Sequence, residues 1–318
     1  MSEPEIADFN VLFQQTLQLY EQGDYAQGYD LATRAQPLFP DREAMVMYVR
    51  ACLASMDGQG AHALALLGES IDKGHWYAQP VWDDPDFNAI RESDEFARLR
   101  TISLERRDAA QALARPELVV RLPGDETPTP YPLLLALHGN NSTVAEQGDH
   151  WRPAALHGWL VGLAQSSQVG GPGQYIWDDA ATSAREVSGH LDALQRAYPV
   201  DAARIVMGGF SMGAETAVRL VLSGTVPARG FVAVAMGGPL TRKPEDWEPL
   251  IEAARGRDLR GYCVTGELDA PYAPGVRRLV EMLRAAGVAC ELESHPDLGH
   301  VYPPDFGARL PEMLAFVL

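Results

Sequence analysis

Near Arg115-Pro116 the chain changes its hydrophobic period, and that change limits the folds open to it more than any other feature. Before it, apolar residues recur at three- and four-residue spacing, as in Phe9, Leu12, Phe13, Leu17 and Tyr20, the pattern of amphipathic helices. After it, short runs rich in apolar and β-branched residues are separated by turns rich in glycine and proline, and stretches of helical spacing intervene. A chain of 318 residues is also long for one core. Two domains are therefore expected, an all-α domain over residues 1–112 and an α/β domain over residues 113–318.

In the second half, strands are expected over 118–122, 132–137, 159–165, 204–208, 230–235, 261–265 and 288–293. Helices are expected over 178–198, 212–223, 274–286 and 305–317. Such alternation builds a mainly parallel sheet covered on both faces, with functional groups on loops at the carboxyl ends of the strands.

The first half reads as helical hairpins. Gly23 breaks one helix, and Asp24 is placed to cap the next with its side chain. A shift of 34 residues lays Asp57-Gly58 over Gly23-Asp24, so 43–56 and 59–73 form a second hairpin. Asp84-Pro85 and Ser93-Asp94 each put a capping side chain ahead of a further short helix. The Gly-Asp-Tyr turn, the small residues Ala26, Gly28 and Ala32, and Pro40 after the second helix resemble tetratricopeptide repeats over about residues 6–75. Two degenerate hairpins are fewer than a free-standing repeat array needs. By that resemblance the helical domain is expected to bind a protein partner, with self-association or a cover over the active-site mouth as the alternatives.

The chemistry-bearing residues fall on the predicted loops. Arg204-Ile205-Val206-Met207-Gly208-Gly209-Phe210-Ser211-Met212-Gly213 runs from an apolar strand directly into a helix, with Ser211 at the junction and glycines two positions to either side. A tight strand-to-helix turn leaves no room for Cβ atoms at those glycines and lifts the serine hydroxyl out at a helix amino terminus. A serine hydroxyl needs a base to take its proton and a carboxylate to orient that base. His300, in the loop Asp297-Leu298-Gly299-His300, is the preferred base over His295. Asp269, just after the penultimate strand, is preferred to Glu267 and Asp297 because it completes the order serine, acid, histidine. A developing oxyanion needs two amide donors. Met212 follows the nucleophile, and Asn140, with Asn141 as its rival, lies in His138-Gly139-Asn140-Asn141 at the end of a buried-type strand.

Those motifs, Leu137-His138-Gly139, Gly209-Phe210-Ser211-Met212-Gly213, Gly266 with Asp269, and Gly299-His300, resemble the α/β-hydrolase superfamily over residues 115–318, nearest its carboxylesterase, lysophospholipase-like and dienelactone-hydrolase-like members. The resemblance implies Ser211, Asp269 and His300 as a catalytic triad, the amides of Asn140 and Met212 as an oxyanion hole, and serine carboxylesterase activity on small esters. Dienelactone hydrolases carry cysteine where this chain has Ser211, and lysophospholipase-like members carry glutamine where it has Met212. The same triad would serve a peptidase or acyl-peptide hydrolase, and an inactive scaffold built on the repeats is a third reading. In the glycine-rich stretch 170–179, Tyr175 and Trp177 either wall a substrate pocket, or Trp177 packs between helix and sheet.

Charge and cysteine use narrow the remaining classes. With 26 basic against 43 acidic residues the net charge is −17, which disfavours nucleic acid and anionic membranes as partners. No apolar run is long enough for a membrane span, and the acidic start lacks the pattern of a secretory signal. A cytoplasmic protein is expected. Cys52, Cys263 and Cys290 are expected as buried thiols, and no spacing implies a metal site or a bound cofactor.

Overall fold

The computed structural model describes residues 9–124 and 127–318. The fold divides into a helical unit, residues up to Leu113 together with Val169–Gly173, and a sheet unit formed by the rest.

In the helical unit, α1 (Phe9–Glu21), α2 (Tyr25–Ala35), α3 (Glu43–Met56), α4 (Gly60–Asp72), the short α5 (Gln79–Trp82) and α6 (Asp94–Leu113) follow one another. Both hairpin turns use glycine in the left-handed region, Gly23 at φ +79° and Gly58 at φ +78°, where a Cβ would be strained. Their hydrogen bonds match pair for pair: Gly23 N–H to Tyr20 O and Asp24 N–H to Leu19 O in one, Gly58 N–H to Ser55 O and Gln59 N–H to Ala54 O in the other. The structural offset is thus one residue longer than the 34 read from the sequence, because the left-handed glycine sets the register. Asp24 stands at the N-cap of α2, but its side chain makes no capping hydrogen bond. Asp84 and Ser93 do cap: Asp84 Oδ1 accepts from Asp86 N–H at 3.0 Å and Ser93 Oγ from Phe96 N–H at 3.2 Å.

A small core of Leu66, Leu67, Ile71, Trp82, Phe87, Phe96 and Leu99 binds α3, α4 and α6. Beside it the Glu43 carboxylate accepts from Lys73 Nζ at 2.7 Å, pairs with His75 Nε2 at 3.1 Å and accepts from Gln36 Nε2 at 3.0 Å. Hydrogen bonding by Lys73 and His75 holds its pKa down to about 2.

The sheet unit carries all seven expected strands. These are β1 (Glu117–Arg121), β2 (Tyr131–Leu137), β3 (Leu160–Gln165), β6 (Val200–Phe210), β7 (Gly230–Val234), β8 (Arg260–Gly266) and β9 (Ala289–His295). They stand in the order β1-β3-β2-β6-β7-β8-β9, with β1 antiparallel to β3 and every other neighbour parallel. Two further short strands, β4 (Gln168–Gly171) and β5 (Gln174–Ile176), form a separate ribbon.

Alternation along β2 explains the layering. Leu133, Leu135 and Leu137 join one buried cluster with residues of α9 (Ala180–Ala197), α10 (Met212–Leu222), α12 (Glu248–Ala254) and α13 (Ala273–Ala285). Leu134 and Ala136 join another with residues of α7 (Val144–Trp151), α8 (Pro153–Leu156) and α14 (Phe306–Val317). The four-residue α11 (Pro239–Arg242) completes the set. A parallel sheet buried on both faces follows, as the continuous apolar runs required.

Candidate active site

Among the described residues, three non-glycine ones have positive φ, Asn141 (54°), Ser211 (54°) and Ala235 (41°), and they lie just beyond the carboxyl ends of β2, β6 and β7. Backbone strain of this kind clusters at functional sites. At Ser211 it is enforced by packing. A Cβ on Gly209 would lie 2.5 Å from the carbonyl of Gly213, and one on Gly213 would lie 2.1 Å from His138 O. Only glycine lets α10 close this tightly on β6 and on the loop after β2. The serine stands as the N-cap of α10, where the helix dipole favours negative charge.

Two loops at neighbouring strand ends meet beside it. A Cβ on Gly266 would fall 2.1 Å from Leu298 O, and Glu267 N–H and Leu268 N–H donate to His295 O and Leu298 O, each at 2.9 Å. Stitched this way, the loops after β8 and β9 bring Asp269 Oδ2 to 2.7 Å from His300 Nδ1. His300 Nε2 lies 2.7 Å from Ser211 Oγ. Asp269 is 4% exposed, which limits solvent screening of its charge. The rival residues are engaged elsewhere: Glu267 Oε1 accepts from Ser294 Oγ at 3.1 Å, and His295 Nε2 pairs with Glu293 Oε1 at 2.7 Å. Asp297 is exposed.

The loop after β2 is fixed at almost every polar atom. Ser166 N–H points at His138 Nε2 (3.2 Å); since an amide only donates, Nε2 is the unprotonated nitrogen and Nδ1–H donates to Gly139 O (2.7 Å). His138 is 2% exposed, and burial pushes its pKa down to about 4, so the ring is neutral. Gln147 Oε1 accepts from Gly139 N–H at 2.8 Å. The Asn140 side chain bridges to Trp177 N–H (2.9 Å) and Asp178 (2.6 Å). Among the described residues neither the Asn140 amide nor the Met212 amide donates a hydrogen bond. A Cβ on Gly139 would lie 3.2 Å from Ser211 Cβ, so this loop runs directly alongside the serine.

Trp177 and Tyr175 divide. Trp177 is fully buried, with Nε1–H donating to His138 O at 2.9 Å and its ring 5.1 Å from that of His138. It has no surface to offer a substrate, and the packing alternative describes its surroundings. Tyr175 is partly exposed and bridges to Ser142 through its backbone. Two further residues border the site: Gln147, signalled in the sequence by the capping box of Thr143 and Glu146 that starts α7, and Tyr272, whose ring lies 5.3 Å from that of His300.

Residues 8–111 match the family described as A/B hydrolase-like, N-terminal domain. The bifunctional acetylxylan esterase/xylanase XynS20E of Neocallimastix patriciarum is 29% identical over 153 residues, 47% of this chain and 21% of that protein. The chain thus spans about a fifth of the length of the curated relative it matches. An uncharacterized protein from Bacillus cereus ATCC 10987 has a solved structure similar over 97% of this chain and 98% of its own, with 23% identity and a TM-score of 0.55. Est1E from Butyrivibrio proteoclasticus, solved with ferulic acid bound, aligns over 64% of this chain and 94% of its own at 12% identity and TM-score 0.51. FphF, a fluorophosphonate-binding serine hydrolase of Staphylococcus aureus, aligns over 63% and 92% at 14% identity and TM-score 0.50. With the strand order above, these likenesses show an α/β-hydrolase fold in the sheet unit, and the helices before it are similar to the A/B hydrolase-like N-terminal domain.

Proposed function

We propose that this protein hydrolyses carboxylic esters through an acyl-enzyme on Ser211. One observation carries the reading: a serine in a strained strand-to-helix turn has a histidine nitrogen 2.7 Å from its hydroxyl, and that histidine's other nitrogen is 2.7 Å from a buried carboxylate. Names attached to similar proteins, among them an acetylxylan esterase and a fluorophosphonate-binding serine hydrolase, are in keeping with it.

In the proposed sequence the Ser211 proton passes to His300 Nε2 as Oγ bonds to the ester carbonyl carbon. Asp269 accepts from Nδ1–H and stabilises the imidazolium. The carbonyl oxygen takes up the negative charge and receives hydrogen bonds from the Asn140 and Met212 amides. Collapse breaks the bond to the alcohol oxygen, which leaves with the proton from Nε2. Water then adds to the acyl-enzyme with the same proton transfers, releasing the acid and restoring the serine. Tyr175 stands near the loop that carries Asn140 and is assigned to the substrate side.

The test is covalent labelling by a fluorophosphonate probe together with p-nitrophenyl acetate turnover. Wild type should label one to one and Ser211→Ala should do neither. A folded wild-type protein that takes no label and cleaves no ester would overturn the proposal.

A further inference from the structure

Which ester is cleaved is not fixed by the triad, but the residues flanking His300 bear on it. After β7 the chain turns back over the histidine: a Cβ on Gly237 would lie 3.1 Å from His300 Cε1 and 3.1 Å from Tyr272 Cε2. Tyr272 packs its ring 5.3 Å from the His300 ring. Over the tyrosine sits Arg242, with Cζ 5.0 Å from the ring centroid and Nη2–H donating to Tyr272 Oη at 2.9 Å. A guanidinium thus stands one side chain away from the general base.

That cation is exposed, and among the described residues it has no carboxylate at ion-pairing distance. Arg204, Arg229, Arg278 and Arg309, in the same unit, are each paired with one. One bond to a phenol occupies one of five N–H donors. The position is also built rather than loose. Glu215, 2% exposed, accepts from Leu240 N–H (3.2 Å), Thr241 N–H (2.7 Å) and Thr241 Oγ1–H (2.7 Å), which anchors the α11 turn that carries Arg242. The buried Glu215 carboxylate is therefore spent on Leu240 and Thr241.

We propose that Arg242, held on Tyr272, binds a carboxylate carried by the alcohol portion of the substrate ester. The leaving alkoxide must take its proton from His300 Nε2, so the alcohol portion lies on the histidine side of the site, where Tyr272 and Arg242 stand. A guanidinium offers parallel N–H pairs that fit a carboxylate bidentately. The chain carries a net charge of −17 and repels anions at a distance, so a carboxylate-bearing ester needs a local cation left unneutralised, and Arg242 is one. The inference rests on the ester-hydrolase reading and deepens it.

The experiment compares kcat/KM for the acetyl ester of 4-hydroxybenzoate with that of 4-hydroxybenzamide, which differ in charge and little in shape. Both are measured in wild type, Arg242→Gln and Arg242→Lys, with fluorophosphonate labelling as the control for an intact triad. Wild type should favour the carboxylate ester, Arg242→Gln should lower the charged-to-neutral ratio by about tenfold, and Arg242→Lys should restore part of it. A ratio unchanged in a labelled Arg242→Gln variant overturns the proposal. So does a stronger Arg242-dependent preference for the acetyl ester of 4-hydroxyphenyl phosphate, which would make the site a phosphate site. If wild type neither labels nor cleaves either ester, the ester-hydrolase reading itself fails.

Discussion

Replacing His138 by phenylalanine keeps an aromatic ring beside Trp177 and removes both ring nitrogens. Ser166 N–H then loses its acceptor and Gly139 O loses its donor. A buried polar group left without its partner costs about 1–3 kcal/mol, so with two such groups stability should fall by about 2–6 kcal/mol. The catalytic effect follows from covalent geometry: Gly139 C=O and Asn140 N–H belong to one planar trans peptide and point in opposite directions. His138 therefore grips the back of the peptide whose front presents the proposed oxyanion donor. One such donor is worth about 10²–10³ in kcat; a loosened one should cost about tenfold to a hundredfold, with KM little changed, because the bond forms in the transition state. The variant also tests the protonation argument. A histidine whose folded pKa is about 4, below its unfolded 6.5, contributes stability that is complete above pH 6.5 and lost as pH falls towards 4, about 3 kcal/mol in all. That slope should vanish in His138→Phe. Denaturant melts across pH 4–7 and steady-state kinetics on p-nitrophenyl acetate are the assays. A folded His138→Phe with kcat within twofold of wild type would refute the coupling between this ring and the Asn140 amide.

Asp269→Asn should lower kcat by about 10³–10⁴-fold, since the amide disrupts the histidine tautomer that the reaction needs; single-turnover acylation rates would check it. Gly213→Ala puts a Cβ 2.1 Å from His138 O, a backbone contact that no rotamer relieves, so the variant should lose several kcal/mol or fail to fold, read by its melting temperature. In the helical unit, the Glu43 carboxylate, held down to about 2 chiefly by Lys73 and His75, contributes stability present above about pH 4.5 and lost as pH falls towards 2. Amide exchange in α3 and α4 of the full chain should speed up across that window, and Glu43→Gln should flatten the dependence.

The seven strands were legible because each is a short apolar run bounded by turns, and the sheet buries both of its faces. The turn at Ser211 was legible for a different reason: Gly209 and Gly213 answer to contacts of 2.5 Å and 2.1 Å that exclude any other residue, so the pattern is a steric requirement written into the sequence. The ribbon of β4 and β5 left little trace. Its residues are largely glycine and polar, and two paired strands of three or four residues need no apolar alternation. The helix α7 was missed because Val144-Ala145-Glu146-Gln147-Gly148-Asp149-His150-Trp151 buries only Gly148 and Trp151. Asp24 failed as a cap because its position alone does not fix its side chain.

What lay out of reach in the sequence was the function of closure over long separations. His138 meets Ser166 across 28 residues, and Trp177 meets His138 across 39; Asn140 meets Asp178 across 38. No local period records such pairs. The consequence reaches Trp177, for which the sequence allowed either a pocket wall or a packing role. A fully buried ring that donates to the carbonyl of His138, while its own amide donates to the Asn140 side chain, supports from behind the loop that carries the proposed oxyanion donor. Its influence on the proposed reaction runs through the loop's geometry, so Trp177→Phe, which removes the indole donor and part of the ring volume that packs behind the loop, should lower kcat more than it raises KM. A pocket wall would show the reverse: KM should then change with the size of the ester while kcat held.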